Sequence, residues 1–134
     1  MRTFYIFKIK PEFKIITENK PLNIFITLDN IKNMPTSELN VASSIYDMLC
    51  IRHDKNLLNL EIFKKLKDND YYTKFNNNHM INNYYTSEQS TLTINKTYLK
   101  IKSSAPYPSF LDILKSISHT QFMKQIRNYL LILL

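Results

Sequence analysis

The chain has no glycine in its 134 residues, and this absence limits both the turns that its backbone can form and the phosphate-binding and catalytic motifs that it can contain. Tight turns often need positive φ angles, which asparagine and aspartate tolerate best after glycine. The cluster Asn76-Asn77-Asn78 therefore marks a predicted turn. The Walker phosphate loop, the dinucleotide-binding fingerprint and the nucleophile elbow all need glycine, so the sequence excludes their standard forms.

The size and apolar content of the chain are those of one small globular domain spanning residues 1–134. Its formal charge of +7 favours acidic partners. Only 3 of the 18 basic residues are arginine, the side chain best suited to bidentate phosphate contacts. AT-rich codons also produce this excess of lysine, asparagine and isoleucine, so the charge permits nucleic-acid binding without indicating it.

The first half of the chain predicts one strand followed by helices. Alternating aromatic and β-branched residues predict a strand at residues 3–10, which Pro11 ends because proline cannot donate to a strand ladder. Apolar spacing then predicts helices at residues 12–16, 22–33 and 37–51. The segment 57–67 fits a further helix or, in its first residues, a short strand.

The second half of the chain predicts mainly strands. They are expected at residues 71–75, 78–86 and 91–101, the last with a tight turn or bulge at Asn95-Lys96. Residues 110–117 predict a helix capped by Ser109, and the tail from Gln121 fits more helix or frayed chain. This order predicts an α+β fold: a single small domain with a mostly antiparallel sheet and helices packed on one side.

Catalytic and metal-binding patterns are missing from the sequence. Cys50 and His53 could form a nucleophile and base if both lay on one helix, but the apolar neighbours of Cys50 favour a buried thiol instead. His53, His79 and His119 are far apart and lack metal-ligand spacing. We therefore expect no enzyme activity, metal or cofactor. A deep cleft that joined a histidine to carboxylates or to Cys50 would contradict this expectation.

The cysteine content and hydropathy indicate the expected compartment. A single cysteine cannot form an internal disulfide, which is typical of a cytoplasmic protein. No apolar run approaches the roughly 20 residues of a membrane span, and no signal peptide is recognisable at the first residues. We expect no membrane partner, and the oligomeric state remains open.

The tyrosine-rich strands allow a second interpretation, that of a small basic nucleic-acid-binding module. Tyr71, Tyr72, Tyr84 and Tyr85 alternate with Lys74 and several asparagines, and aromatic rings beside lysines can stack bases and hold phosphates. Paired tyrosines in a half-buried sheet also place one ring inside and one outside for purely structural reasons.

The first strand carries a family resemblance. The run Phe4-Tyr5-Ile6-Phe7-Lys8-Ile9-Lys10-Pro11-Glu12-Phe13 resembles the opening of the sporulation inhibitor of replication family, SirA. Members of that family begin with an aromatic strand that leads into Ile-Lys-x-Glu-Phe. The order and spacing of the predicted elements are also similar over about residues 3–118.

The resemblance implies a function in sporulation. SirA proteins are cytosolic inhibitors of DNA replication that bind the N-terminal domain of the initiator DnaA by protein–protein contact. Their functional surface lies near the first strand-to-helix junction, where this chain has Lys10, Glu12 and Phe13. An exposed Phe13 would suit an interface anchor, whereas a buried Phe13 would belong to the core.

The C-terminus departs from the family. SirA proteins end with a further strand that carries an Asp-Phe pair, followed by a tryptophan. This chain has no tryptophan and continues through residues 119–134 as a divergent tail. Loss of a final strand would leave a sheet edge exposed.

Overall fold

The fold is built around the aromatic strand predicted at the start of the chain. The computed structural model describes residues 1–118 and 123–133. Within them, strands β1–β8 span Arg2–Ile9, Cys50–Ile51, Tyr72–Phe75, Asn78–Asn83, Glu88–Ile94, Leu99–Ser103, Met123–Ile126 and Tyr129–Leu133. Helices α1–α5 span Lys14–Asn19, Pro21–Lys32, Leu39–Leu49, Lys55–Leu66 and Ser109–Ser118. Short 3₁₀ turns occupy Pro11–Phe13 and Thr36–Glu38.

All of these strands form one sheet with β1 near its centre. The order is β3-β4-β5-β6-β1-β8-β7, and β2 pairs with the last residues of β1. Neighbouring strands are antiparallel except for β1 and β8, which run parallel from Tyr5 opposite Tyr129 to Ile9 opposite Leu133. Because β8 occupies one edge of β1, β6 and β2 share its other edge. The predicted α+β class with a mostly antiparallel sheet is confirmed.

Helices cover the sheet unevenly. On one face, α4 and α5 pack on the strands through Ile62, Leu66 and Phe110, which meet Phe4 and Ile6 of β1. The other face is also covered at β1 and β8, where residues of α2 and α3 form a second cluster with Phe7 and Ile9. The expected placement of helices on one side therefore describes β3–β6, while β1 and β8 have helices on both faces.

Most predicted elements are present, with two differences. Cys50 and Ile51 form β2 instead of extending α3, because their backbone pairs with β1. The tail was expected to be helical or frayed, and this prediction is wrong over the described residues: 123–133 form the β7–β8 hairpin. No described helix has both the length and the apolar character needed to cross a bilayer.

Turns without glycine use more than asparagine. Asn76 has a φ of 53° at the β3–β4 turn, as the sequence predicts. Ser87 and Arg127 also adopt positive φ angles, of 58° and 54°. These two residues lack the tolerance of asparagine for this region, so each conformation costs about 1 kcal/mol or more that neighbouring packing must offset.

Candidate functional site

The three residues singled out by the resemblance lie together in the turn after β1. The Lys10 amide donates to the Leu49 carbonyl oxygen at 3.0 Å, which ties this turn to the end of α3. The Phe13 amide donates back to the Lys10 carbonyl at 3.0 Å, and the Thr17 hydroxyl donates to the Phe13 carbonyl at 2.7 Å. The backbone that carries Lys10, Glu12 and Phe13 is therefore well fixed.

Their side chains differ in exposure. Glu12 is exposed and Lys10 is half-buried. Phe13 is half-buried and packs against the second core cluster, so it has both the structural role and the accessible edge that the sequence left as alternatives. This ring alone is too enclosed to form a large contact surface.

The exposed aliphatic side chains on the two helices that follow this turn were not identified from the sequence. In α1, the buried residue is Thr17, while Ile15 is 72% exposed and Ile16 is also exposed. In α2, Ile24, Phe25 and Leu28 face the core and leave Leu22 and Ile26 in solvent. We call Lys10, Glu12, Phe13, Ile15, Ile16, Leu22 and Ile26 the β1–α2 surface.

Exposed aliphatic side chains also occur on α3 and α4, and those of α1 and α2 are distinguished by their position directly after the Lys10–Phe13 turn. Leu22 and Ile26 are one helical turn apart, so they lie side by side on α2, and α1 packs against this helix. Single exposed apolar residues are ordinary, whereas groups of them mark interaction sites. One sequence signal could have revealed the exposed isoleucines: two adjacent isoleucines in a six-residue helix cannot both face the core.

Cys50 and His53 do not form a nucleophile and base. Cys50 is buried in the second cluster, and burial raises the pKa of its thiol to about 12. His53 lines a cleft with Lys8 and Ile132, whose side chains belong to the opposite face of the sheet. Because Cys50 lies in β2 instead of α3, the helical spacing that would have aligned the two residues does not apply.

A cleft of about 270 Å³ is lined by His53, Asp54 and Glu61, the residue types whose contact would contradict the expectation of no enzyme activity. Neither carboxylate hydrogen-bonds to the ring: the Asp54 Oδ1 accepts from the Leu57 amide at 3.2 Å. The ring atom Nε2 has no partner among the described residues. Burial, then the charge of Lys8, lowers the His53 pKa to about 4, so the ring is neutral at physiological pH.

His79 is a fully buried structural residue. The Tyr72 hydroxyl lies 2.6 Å from its Nδ1, and its Nε2 lies 2.7 Å from the Asn59 Oδ1. Because that amide oxygen can only accept, Nε2 carries the proton and Tyr72 donates to Nδ1. Burial, then the charge of Lys74, lowers the His79 pKa to about 4.

No group of three potential ligands among the described residues could hold a metal ion. His119 lies outside the described residues.

The four tyrosines do not form the platform that the nucleic-acid interpretation expected. Tyr72 is buried against the core, and Tyr71 beside it is partly exposed. Tyr84 and Tyr85 are highly exposed but lie in the turn between β4 and β5, beyond the paired strands. One ring of each pair was expected to be buried in a half-buried sheet, and only the pair at the start of β3 follows that pattern.

Comparison with known proteins gives no further assignment. No family model matches the sequence, and no curated protein matches it.

Proposed function

We propose that the protein acts by binding another protein through the β1–α2 surface. Its partner is the N-terminal domain of the replication initiator DnaA, as the resemblance implies, and binding in the cytoplasm inhibits initiation during sporulation. The observation that carries the proposal is the group of exposed aliphatic side chains on the two helices that follow the turn holding Lys10, Glu12 and Phe13.

The chemistry of this surface suits a protein partner. Interfaces gain most of their free energy from apolar anchors that become fully desolvated and are surrounded by polar residues. Ile15 and its aliphatic neighbours provide the apolar part, while Glu12, Lys14 and Glu18 are exposed beside them. Charges of both signs border this surface, so its aliphatic side chains, and not its charge, favour a protein partner over nucleic acid.

The terminal strand also supports the proposal. The family has a final strand, which was not expected in the divergent tail of this chain, yet β8 is a strand that pairs with β1 through Tyr5–Ile9. The strand that leads into Lys10, Glu12 and Phe13 is therefore held on both edges, which fixes the position of the turn. A fixed turn lowers the entropic cost of binding.

The experiment measures binding of the intact protein to the DnaA N-terminal domain by isothermal titration calorimetry. Ile15→Ser removes an exposed side chain, so the fold should be unaffected while affinity falls about tenfold or more. Phe13→Ala should weaken binding and also lower the melting temperature, because the ring is half-buried.

The matched control is Leu60→Ser, which removes an exposed aliphatic side chain from α4 on the other side of the sheet. Its affinity should equal that of the wild type. Absence of binding by the wild-type protein would refute the proposed partner. Equal losses for Ile15→Ser and Leu60→Ser would refute the proposed surface.

A further inference from the structure

The sheet has a second exposed surface, which shares no residue with the β1–α2 surface. Along β3–β6, alternate side chains face α4 and α5, and the others are exposed or half-buried. The second set is polar or basic apart from one aromatic ring and one methionine. We call it the open sheet face: Thr73, Phe75, Asn78, Met80, Asn82, Gln89, Thr91, Thr93, Lys100 and Lys102.

The charge of the open sheet face has one sign. Lys100 and Lys102 lie on β6, opposite Thr93 and Thr91 of β5, and no aspartate or glutamate belongs to this set. Among the described residues, neither lysine forms an ion pair with a carboxylate. The two lysines are two residues apart on one strand, so their side chains project from the same face of the sheet and their Cα atoms are about 7 Å apart. They are therefore free to hold two anionic groups in a row.

An aromatic ring lies on the same face as these lysines, across strands β4 and β5 from them. Phe75, at the end of β3, is 68% exposed. It lines a shallow cleft of about 370 Å³ with Met80, Lys100 and Lys102. Phe75 is not a core residue: β3 places Tyr72 in the core, and Phe75 lies on the opposite face of the strand.

Asn78 and Thr93 supply hydrogen-bonding groups in this cleft, and two further amides lie on the same face outside it. The Thr93 hydroxyl donates to the Asn78 Oδ1 at 2.7 Å, which fixes this amide and leaves its NH₂ group as a donor. Asn82 and Gln89 are exposed and directly opposite each other on β4 and β5. Amides of this kind can pair with the edges of unstacked bases.

We propose that the open sheet face binds single-stranded nucleic acid, with a base stacked on Phe75 and successive phosphates held by Lys100 and Lys102. Single strands expose the faces of their bases, whereas a duplex hides them within its stack. An acidic peptide could satisfy the lysines but would leave Phe75 without a planar partner. The combination of an exposed ring, amide donors and lysines that have no ion pair in the described part of the chain therefore favours a nucleic-acid strand.

The test measures fluorescence anisotropy of a labelled oligothymidylate of about 15 nucleotides, titrated with the full chain over a series of salt concentrations. We expect Lys100→Gln/Lys102→Gln to weaken binding and to reduce the slope of log K against log salt by about 1.4, or about 0.7 for each phosphate contact. Phe75→Ala should weaken binding about fivefold or more with an unchanged salt slope.

Two matched controls separate this site from general charge and general aromaticity. Lys64→Gln/Lys65→Gln removes the same charge from exposed positions of α4, and Tyr85→Ala removes a fully exposed ring from the β4–β5 turn. Both should bind like the wild type.

Three results would overturn the proposal: no binding at low salt, equal losses in the open-face and control variants, or equal competition by duplex DNA or polyglutamate. None of these results depends on binding to the initiator domain, since the two surfaces have no residue in common.

Discussion

At the scale of single residues, the buried histidines illustrate how the environment decides protonation. The ring of His79 is enclosed, and hydrogen bonds to Tyr72 and Asn59 hold it in one neutral tautomer. A proton on Nδ1 would replace the acceptor that Tyr72 needs. Burial and this geometry act in the same direction, and both oppose the charged form.

Acid should therefore destabilise the fold through His53 and His79. Their pKa values are about 4 in the folded protein and about 6.5 in an unfolded chain, so the unfolded state takes up protons first. Stability present above pH 6.5 is lost as pH falls towards 4, by up to about 1.4 kcal/mol per pH unit for each histidine. Urea unfolding at several pH values measures this loss, and NMR titration of the rings should show no protonation near pH 6.5. If the ring of His53 or of His79 titrates near pH 6.5, the prediction that burial keeps that ring neutral is contradicted.

Residue identity predicted some of these environments. The apolar neighbours of Cys50 predicted a buried thiol, and the structure confirms it. Nothing near His79 in the sequence predicted a buried imidazole, because its partners Tyr72 and Asn59 come from another strand and from α4. The exposed isoleucines of α1 were missed for a similar reason: which side of a six-residue helix faces the core depends on distant contacts.

At the scale of elements, a buried carboxylate holds the start of α5. Glu88 in β5 accepts hydrogen bonds from the Ser109 hydroxyl at 2.6 Å, the Ser109 amide at 3.2 Å and the Ser90 hydroxyl at 2.7 Å. Ser109 was predicted to cap α5, but its hydroxyl donates to Glu88 and the carboxylate satisfies the helix amide. A negative charge here is favourable because it meets the positive end of the helix dipole.

Removing that carboxylate should loosen α5 from the sheet. Glu88→Ala takes this acceptor from the buried Ser90 hydroxyl, which keeps the Ser103 hydroxyl as a partner, and from the exposed Ser109, so we expect the free energy of unfolding to fall by about 2 kcal/mol. Glu88→Gln, which keeps one acceptor oxygen, should lose less. Urea denaturation gives both values. The exposed Glu18→Ala serves as control and should change stability by less than about 0.5 kcal/mol; an equally small loss for Glu88→Ala would contradict this role.

Helices and strands were predicted more accurately where their hydrophobic pattern extends over more residues. Strand β1 and helix α2 were predicted within about a residue because their alternation or helical spacing continues over eight and twelve residues. The continuous apolar run of β8 is only five residues long, and such a run does not distinguish a strand from a buried helix. Its parallel pairing with β1 joins the two ends of the chain, which no local pattern contains.

At the scale of the whole molecule, the central position of β1 explains how one sheet can present two different surfaces. Helices α1 and α2 follow directly from β1 and carry the aliphatic side chains of the β1–α2 surface. Strands β3–β6 extend from the edge of β1 opposite β8 and leave one face of the sheet open. The net charge of +7 agrees with the lysines of the open sheet face, but it does not account for the exposed aliphatic side chains of the β1–α2 surface. The proposed protein partner and the proposed nucleic acid therefore use separate parts of the molecule.

The most direct test of the central claim is hydrogen exchange of the protein with and without the DnaA N-terminal domain, followed by mass spectrometry. If the β1–α2 surface binds this partner, amide exchange should slow in peptides that cover residues 11–32 and remain unchanged in residues 72–102. Exchange that is unchanged throughout, or protection confined to residues 72–102, would contradict the account.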